Sequence, residues 1–355
     1  MSQTVAQRQV APTFGLWYSL RNPQHWRRPF EDLYRESVEQ LAWAEQIGFD
    51  TAWISEHHFE DDGYASSPLM FLSAVAARTS RLRLGTDLIV APLHHPLRLA
   101  EDAAALAIVS EGRFDLGLGV GYRETDFAAF GQSLSHRPSV VEEMIAILRQ
   151  SWTGQPVQHS GKRFQIHDAS VTPVAARPPR LVMGGEAVVA VERAARLADA
   201  YLPPAGIPLY FDRYLDAVEK VGRERRSGVI LAGHNAIISE DPERTLATAG
   251  EHWRYQVNGY LETGGYEGNA CPTPEAALES GWFQLWDADT AVEEISQMLT
   301  EYPQIQDVHW WAQFPGESID SGSERLQYIA DNVLPRLRER FASADQVPAV
   351  ATSGA

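Results

Sequence analysis

Strand-like and helix-like segments alternate along this chain with short joints, and eight such pairs can be read in its 355 residues. The strands are expected at Phe14–Tyr18, Thr51–Ile54, Leu82–Val90, Phe114–Leu118, Leu181–Met183, Ala200–Leu202, Val229–Ile238 and Val308–Phe314. Helical spacing of apolar residues lies between them, as in Leu97, Ala100, Ala104 and Ile108, or Val140, Met144 and Ile147. Strict alternation demands a parallel sheet, since each strand must return to the same end through a crossover. Eight units favour closure into an α/β fold of the (β/α)8 TIM barrel type over an open doubly wound sheet. A chain of this length buries a large core, and barrels of this size form one domain.

The expected organisation is a flexible N-terminus over 1–12, a single barrel domain over 13–341 and a disordered tail over 342–355. Two insertions interrupt the barrel. Residues 156–173 alternate around Ser160-Gly161 and predict a hairpin after the fourth helix. Residues 252–286 are long and aromatic, with Trp253, Tyr255, Tyr260, Tyr266, Trp282, Phe283 and Trp286, and read either as a substrate wall or as a packing contact.

Thirty Lys and Arg against 47 Asp and Glu give a net charge of −17, which argues against nucleic acid and anionic membrane as partners. Cys271 is the only cysteine, so no intrachain disulfide can form, as suits a reducing compartment. The start lacks an apolar signal core, and no run is long enough for a membrane span; a soluble, cytoplasmic protein is expected.

The chemistry concentrates at strand ends. Glu56-His57-His58-Phe59 directly follows the strand Thr51–Ile54, where α/β folds place their functional groups. Histidine trades protons near neutral pH, so this points to an enzyme. Neighbouring residues of an extended chain face opposite ways, so one of the pair should face the site, and His57 is the choice. The same divergence, repeated at His94-His95, leaves no metal site expected.

Gly112 to Tyr122 carries glycines at 117, 119 and 121. The G-x-G-x-G spacing is not a dinucleotide fingerprint, because the next helix starts only near Pro138. It reads either as a strand end lying close to a planar ligand or as tight packing in the barrel. Leu181-Val182-Met183-Gly184-Gly185-Glu186 reads as strand, glycine turn and helix N-terminus, a setting that suits a phosphate.

Ile54 to Phe59, Leu84 to Val90, His95 to Asp102, Gly112 to Phe114, Phe127 to Gly131 and Arg137 occur in order at regular distances. In this series the chain resembles the bacterial luciferase-like flavin-dependent monooxygenases, clearly over 14–202 and in fold pattern to about Arg336. The resemblance implies a luciferase-like barrel that binds reduced FMN, supplied by a separate flavin reductase, at the carboxyl face of its strands. It implies that a flavin peroxide formed with oxygen oxidises a small organic substrate. It assigns His57 to catalysis, and assigns cofactor contacts to Glu56, Thr86, Asp87, Leu88, Gly119, Gly121, Arg137, Gly184, Gly185, Glu186 and Ala187. A cis peptide at Asp87–Leu88 and a homo-oligomer are further implications.

The chain departs from the family at the phosphate. Val120 stands where luciferase itself has an arginine, Ala187 and Ala190 stand where hydroxyls are common, and Glu186 would repel a dianion unless turned away. Arg137 is the matching arginine that survives. A deazaflavin-dependent hydride-transfer oxidoreductase and a non-catalytic luciferase-like partner subunit are the alternatives.

Overall fold

The computed structural model describes residues 10–342 except 264, 266 and 267. Of the expected flexible ends, 1–9 and 343–355 lie outside the described residues. Eight parallel strands form a closed ring: β1 Thr13–Tyr18, β2 Thr51–Ile54, β3 Arg83–Thr86, β4 Phe114–Gly119, β5 Arg180–Gly184, β6 Ala200–Leu202, β7 Ile230–His234 and β8 Ile305–Trp311. Each pairs with its neighbours in sequence, and β8 pairs with β1 to complete the barrel.

The helices that cover it are α1 Phe30–Ile47, α2 Pro68–Arg78, α3 Pro96–Val109, α4 Arg137–Ser151, α5 Val188–Leu197, α6 Pro208–Lys220, α8 Ala288–Glu301 and α9 Ile319–Asn332. Between β7 and α8 lies an added helix, α7 Pro242–Glu262. Gly48 closes α1 in the left-handed conformation, with φ 109°, a conformation most side chains resist. Proline opens α2, α3, α6 and α7 at a first-turn position, where its missing N–H costs nothing.

Three strand expectations are corrected. Leu82–Val90 is one segment in the sequence but two in the structure. The barrel strand ends at Thr86, whose hydroxyl both donates to the Gly117 carbonyl (2.9 Å) and accepts from its N–H (2.8 Å). The Asp87–Leu88 peptide is cis, and Ile89–Val90 then pairs with Leu118–Gly119. Val229–Ile238 likewise divides: the ladder to β8 stops at His234, and Ala236–Ile238 pairs with Gln284–Trp286 outside the ring. The last strand runs Ile305–Trp311, so it starts earlier and ends earlier than its apolar stretch suggests.

The hairpin falls within its expected range, as Val157–Ser160 against Gln165–Ala169. The second insertion is wider than 252–286. Its helix begins at Pro242, where the Asp241 carboxylate accepts a hydrogen bond from the Arg244 N–H (3.0 Å), and its ends are joined by the small parallel pair at 236–238 and 284–286.

Strand alternation divides the core in two. Phe14, Leu16, Tyr18, Ala52, Ile54, Val308 and Trp310 face the helices. Trp17, Trp53, Val182, Ala200, Leu231 and Trp311 fill the barrel and continue into the inner face of α7 through Trp253 and Val257. Gly85 makes room for this filling, since a Cβ there would lie 2.1 Å from the Trp53 ring. At the amino end of the barrel, the Asp307 carboxylate accepts hydrogen bonds from the hydroxyls of Thr13 (2.6 Å) and Thr51 (2.8 Å), the Trp53 indole (2.9 Å) and His309 Nδ1 (2.8 Å). Among the described residues, no helix is long and apolar enough to cross a membrane.

Candidate active site

A cavity of about 190 Å³ opens at the carboxyl ends of the strands. Its wall combines Trp17 at the end of β1, the loop Ser55-Glu56-His57 after β2, and Asp87 to Val90 after β3. Gly119, Gly121 and Tyr122 close the β4 side, with Gly185 and Leu202 to Pro204 opposite. Tyr260 and Gly265, from the end of α7 and just beyond it, reach the same mouth as His57. The aromatic insertion therefore stands at the carboxyl face of the barrel.

Of the residues assigned from sequence, the structure brings His57, Glu56, Asp87, Leu88, Gly119, Gly121 and Gly185 to this cavity. Five others do not line it. Thr86 is buried and spent on its two bonds to Gly117. Gly184 lies under Leu88, where a Cβ would sit 2.7 Å from Leu88 Cδ1 and 2.5 Å from the Leu202 carbonyl oxygen. Glu186 turns outward and accepts a hydrogen bond from the Tyr210 hydroxyl (3.0 Å). Ala187 is the exposed residue before α5. Arg137 begins α4 and donates to the Leu134 carbonyl (2.9 Å).

The glycine spacing also has its reason in packing. A Cβ on Gly117 would fall 1.9 Å from the Thr86 carbonyl oxygen, and one on Gly119 would fall 3.3 Å from Leu88 Cβ. The close neighbour of both is the chain turning after β3, and Gly119 also borders the cavity.

The two histidines diverge. The His57 ring meets Tyr64 edge-on (4.6 Å between centroids), with Tyr122 at 5.8 Å and Tyr260 at 6.1 Å. Its Nδ1 is buried without a hydrogen-bond partner among the described residues. Burial, with the positive charges of Arg123 and Arg21 nearby, pushes its pKa down to about 3, so the ring is neutral at ordinary pH. His58 instead packs against Phe130 (4.8 Å) and lies 3.5 Å from Glu56 Oε1.

Glu56 is a structural hub. Its carboxylate accepts the Val90 N–H and lies 3.1 Å from His94 Nε2, tying the loop after β2 to the turn after β3. Burial would raise its pKa, but the hydrogen bonds and charges of His58 and His94 outweigh that and hold it at about 2.

Sequence reasoning missed the polar frame around His57. The Arg21 guanidinium donates to Asp62 (2.6 Å), Asp62 also accepts from the Tyr255 hydroxyl (3.0 Å), and the hydroxyls of Tyr64 and Tyr260 are 2.6 Å apart. These bonds pin α7 to the loops after β1 and β2. Asp307 and His309 were missed too, although a visible signal exists: they stand at alternate positions of a strand that is otherwise mostly apolar from Ile305 to Trp311. Trp310 and Trp311 pack on Phe14 (6.2 Å) and Trp17 (4.1 Å) respectively, and Trp17 is the one at the cavity.

A family model described as luciferase-like monooxygenase matches residues 13–296. A 4-hydroxyprotoasukamycin monooxygenase of Streptomyces nodosus subsp. asukaensis is 34% identical over 158 residues, 44% of this chain and 42% of that protein, so the match spans less than half of that relative's length. An F420-dependent glucose-6-phosphate dehydrogenase of Microbacterium testaceum is 27% identical over 340 residues, 87% of this chain and 98% of that one. The oxygenating constituent of 3,6-diketocamphane monooxygenase of Pseudomonas putida, a type II Baeyer–Villiger monooxygenase in complex with FMN, shares the fold. It superposes with a TM-score of 0.72 at 19% identity, over 92% of this chain and 99% of that one. With the family model matched over more than half of its length, and the barrel that its relatives share, the chain belongs to the luciferase-like monooxygenase family.

Proposed function

We propose that this protein is a monooxygenase that uses reduced FMN and dioxygen to oxidise a small organic substrate. The observation that carries this reading is His57: a neutral imidazole with a buried, unbonded Nδ1, standing half-buried among three tyrosines at the mouth of an apolar cavity. Such a group adds no charge to the resting site and has a free Nδ1 through which a proton can be accepted and returned. Reduced flavin, when bound, supplies the two electrons that reduce dioxygen, one oxygen atom entering the substrate and the other leaving as water.

The residues fit the ring of that cofactor better than its phosphate. Leu88, the backbone of Asp87 to Val90 and the glycines 119, 121 and 185 would hold a planar ring, with Glu56 fixing the loop that carries His57. Tyr122 and Tyr260 would cover the substrate and keep water out. Trp17, Leu202, Pro203 and Pro204 make the substrate wall apolar. For a phosphate, the donors at hand are backbone N–H groups at the start of α5 and the Arg137 guanidinium. A flavin reductase is the partner this reading needs, and a reducing cytoplasm suits a chain whose single cysteine is buried.

A second reading is hydride transfer with a deazaflavin. The dehydrogenase relative matched along nearly its full length favours it. Oxygen uptake separates the two. The purified protein should leave NADPH untouched, and should couple oxygen uptake to a substrate only when a separate reductase supplies reduced FMN. Rapid NADPH oxidation by the chain alone, or turnover with a deazaflavin and none with FMN, would overturn the first reading.

A further inference from the structure

Directly below the cavity, the barrel holds two polar atoms that find no partner among the described residues: Asp87 Oδ2 and His309 Nε2. Both side chains are buried, and Asp87 lines the cavity while His309 lies wholly inside. His309 is fixed from beneath, since its Nδ1 meets Asp307 Oδ2 at 2.8 Å and its ring is flanked by Trp53 (5.6 Å) and Trp17 (5.8 Å). Asp307 is itself saturated by two hydroxyls and an indole N–H. Gly233 allows this column to stand, because a Cβ there would lie 2.9 Å from His309 Nε2. Leaving a buried polar group unpaired costs stability, so an unpaired carboxylate oxygen in the cavity wall, with His309 close enough to act on its charge, calls for a function.

We propose that Asp87 is a further ligand-contacting residue at the cavity floor, holding a proton that it donates as a hydrogen bond to a carbonyl or ring-nitrogen acceptor of the bound ligand, with His309 and Asp307 as its positioning residues. The identity of that acceptor as part of a flavin ring rests on the monooxygenase reading; the protonated carboxyl does not.

The electrostatics run the same way. Burial pushes the Asp87 pKa up to about 7, against a downward pull from His309. Around it in the cavity, Glu56 and His57 come from the loop after β2, Tyr122 from the loop after β4 and Tyr260 from α7, while His234 on β7 acts on the charge of His309. Glu56 is held at about 2, and burial brings His57 to about 3 and His234 to about 4. Burial raises both tyrosines. Asp307 is held below the usual carboxylate range, its burial outweighed by His309 and the two hydroxyls. Asp87 is thus placed to change charge where enzymes work, and its neighbours in the cavity are not.

Infrared difference spectra of the ligand-free protein, titrated over about pH 5 to 9, test this directly. The expected result is one un-ionised carboxyl band that disappears near pH 7, is missing in Asp87→Asn, and persists to higher pH in His309→Gln, where the downward pull is gone. Oxidised riboflavin, which lacks the phosphate and its titration, then reports on the ligand. Its affinity should fall ~5-fold from ~pH 7 to ~pH 8 in the parent and stay level in Asp87→Asn. No such band, or a band unchanged in Asp87→Asn, overturns the proposal. A band that behaves as expected beside riboflavin that binds at no pH upholds the proton on Asp87 and refutes the flavin reading alone.

Discussion

On the side of the cavity built by the ends of β2 to β4, a polar framework is locked together around the unpaired His57 Nδ1 and Asp87 Oδ2: Glu56 joins the Val90 N–H, His94 and His58, while Arg21, Asp62 and Tyr255 brace α7 above. On the side built by β5 and the start of α5, the surface is nearly bare. Ala187 offers no cap, Val188 and Val189 are 58% and 64% exposed, and Glu186 is engaged with Tyr210. The first side can hold a flat ring and a neutral imidazole rigidly; the second has little beyond backbone N–H groups for a phosphate. Within one cavity, the means to do chemistry and the means to grip a charged tail are separated, and the chain has kept the first more fully than the second.

The largest expected effect lies on the well-built side. His57→Ala should lower turnover by ~10²–10⁴-fold while flavin affinity changes by only a few-fold, measured by single turnover and by titration. His58→Ala should act through stability, since that ring packs on Glu56 and Phe130 and not on the cavity. Full turnover in the His57 variant would dissolve the contrast between the two sides.

Next in size is a pH effect on stability, in which two cavity residues oppose each other. His57 has its pKa lowered to about 3, so its contribution is present above the unfolded value of ~6.5 and is lost as pH falls towards 3. Asp87 has its pKa raised to about 7, so its contribution is present below the unfolded value of ~3.9 and is lost as pH rises through 7. Between ~pH 4 and ~pH 6.5 the slopes, each ~1.4 kcal/mol per pH unit, cancel. Urea midpoints should show His57→Gln gaining stability on acidification relative to the parent and Asp87→Asn losing it. Parallel curves for the three proteins would contradict both assignments.

A smaller effect should sharpen the contrast from the bare side. Ala187 holds the extended N-cap position of α5, with φ −61° and ψ 139°, so Ala187→Ser should add ~0.5–2 kcal/mol to stability. The same hydroxyl should tighten FMN ~10-fold, about 1.4 kcal/mol, and leave riboflavin unchanged. Equal tightening of both ligands would mean the phosphate lies elsewhere.

Much of this frame was legible in the residues. Thr51–Ile54 and Ala200–Leu202 appear at the bounds their β-branched and apolar residues suggest, and Pro138 marks the first turn of α4, although a short helix, Glu124–Ala129, precedes it where none was expected. The divergence of His57 from His58 follows from extended-chain geometry alone. What escaped is tertiary. The break of Leu82–Val90 depends on Thr86 finding Gly117 across a barrel that local pattern does not draw. Tyr64 and Tyr260 are 196 positions apart, and neither is unusual in its own segment. Asp307 and His309 were visible as polar residues at alternate positions of a strand, but their meaning required knowing that this face fills a barrel.

The central claim, that the ring is held and the phosphate is not, is tested most directly by anaerobic titration of one protein sample with reduced riboflavin, reduced FMN and a reduced deazaflavin. Riboflavin and FMN should bind within ~10-fold of each other, a difference of no more than ~1.4 kcal/mol, and the deazaflavin should be the weakest of the three. Tight binding of the deazaflavin with no binding of riboflavin would contradict it.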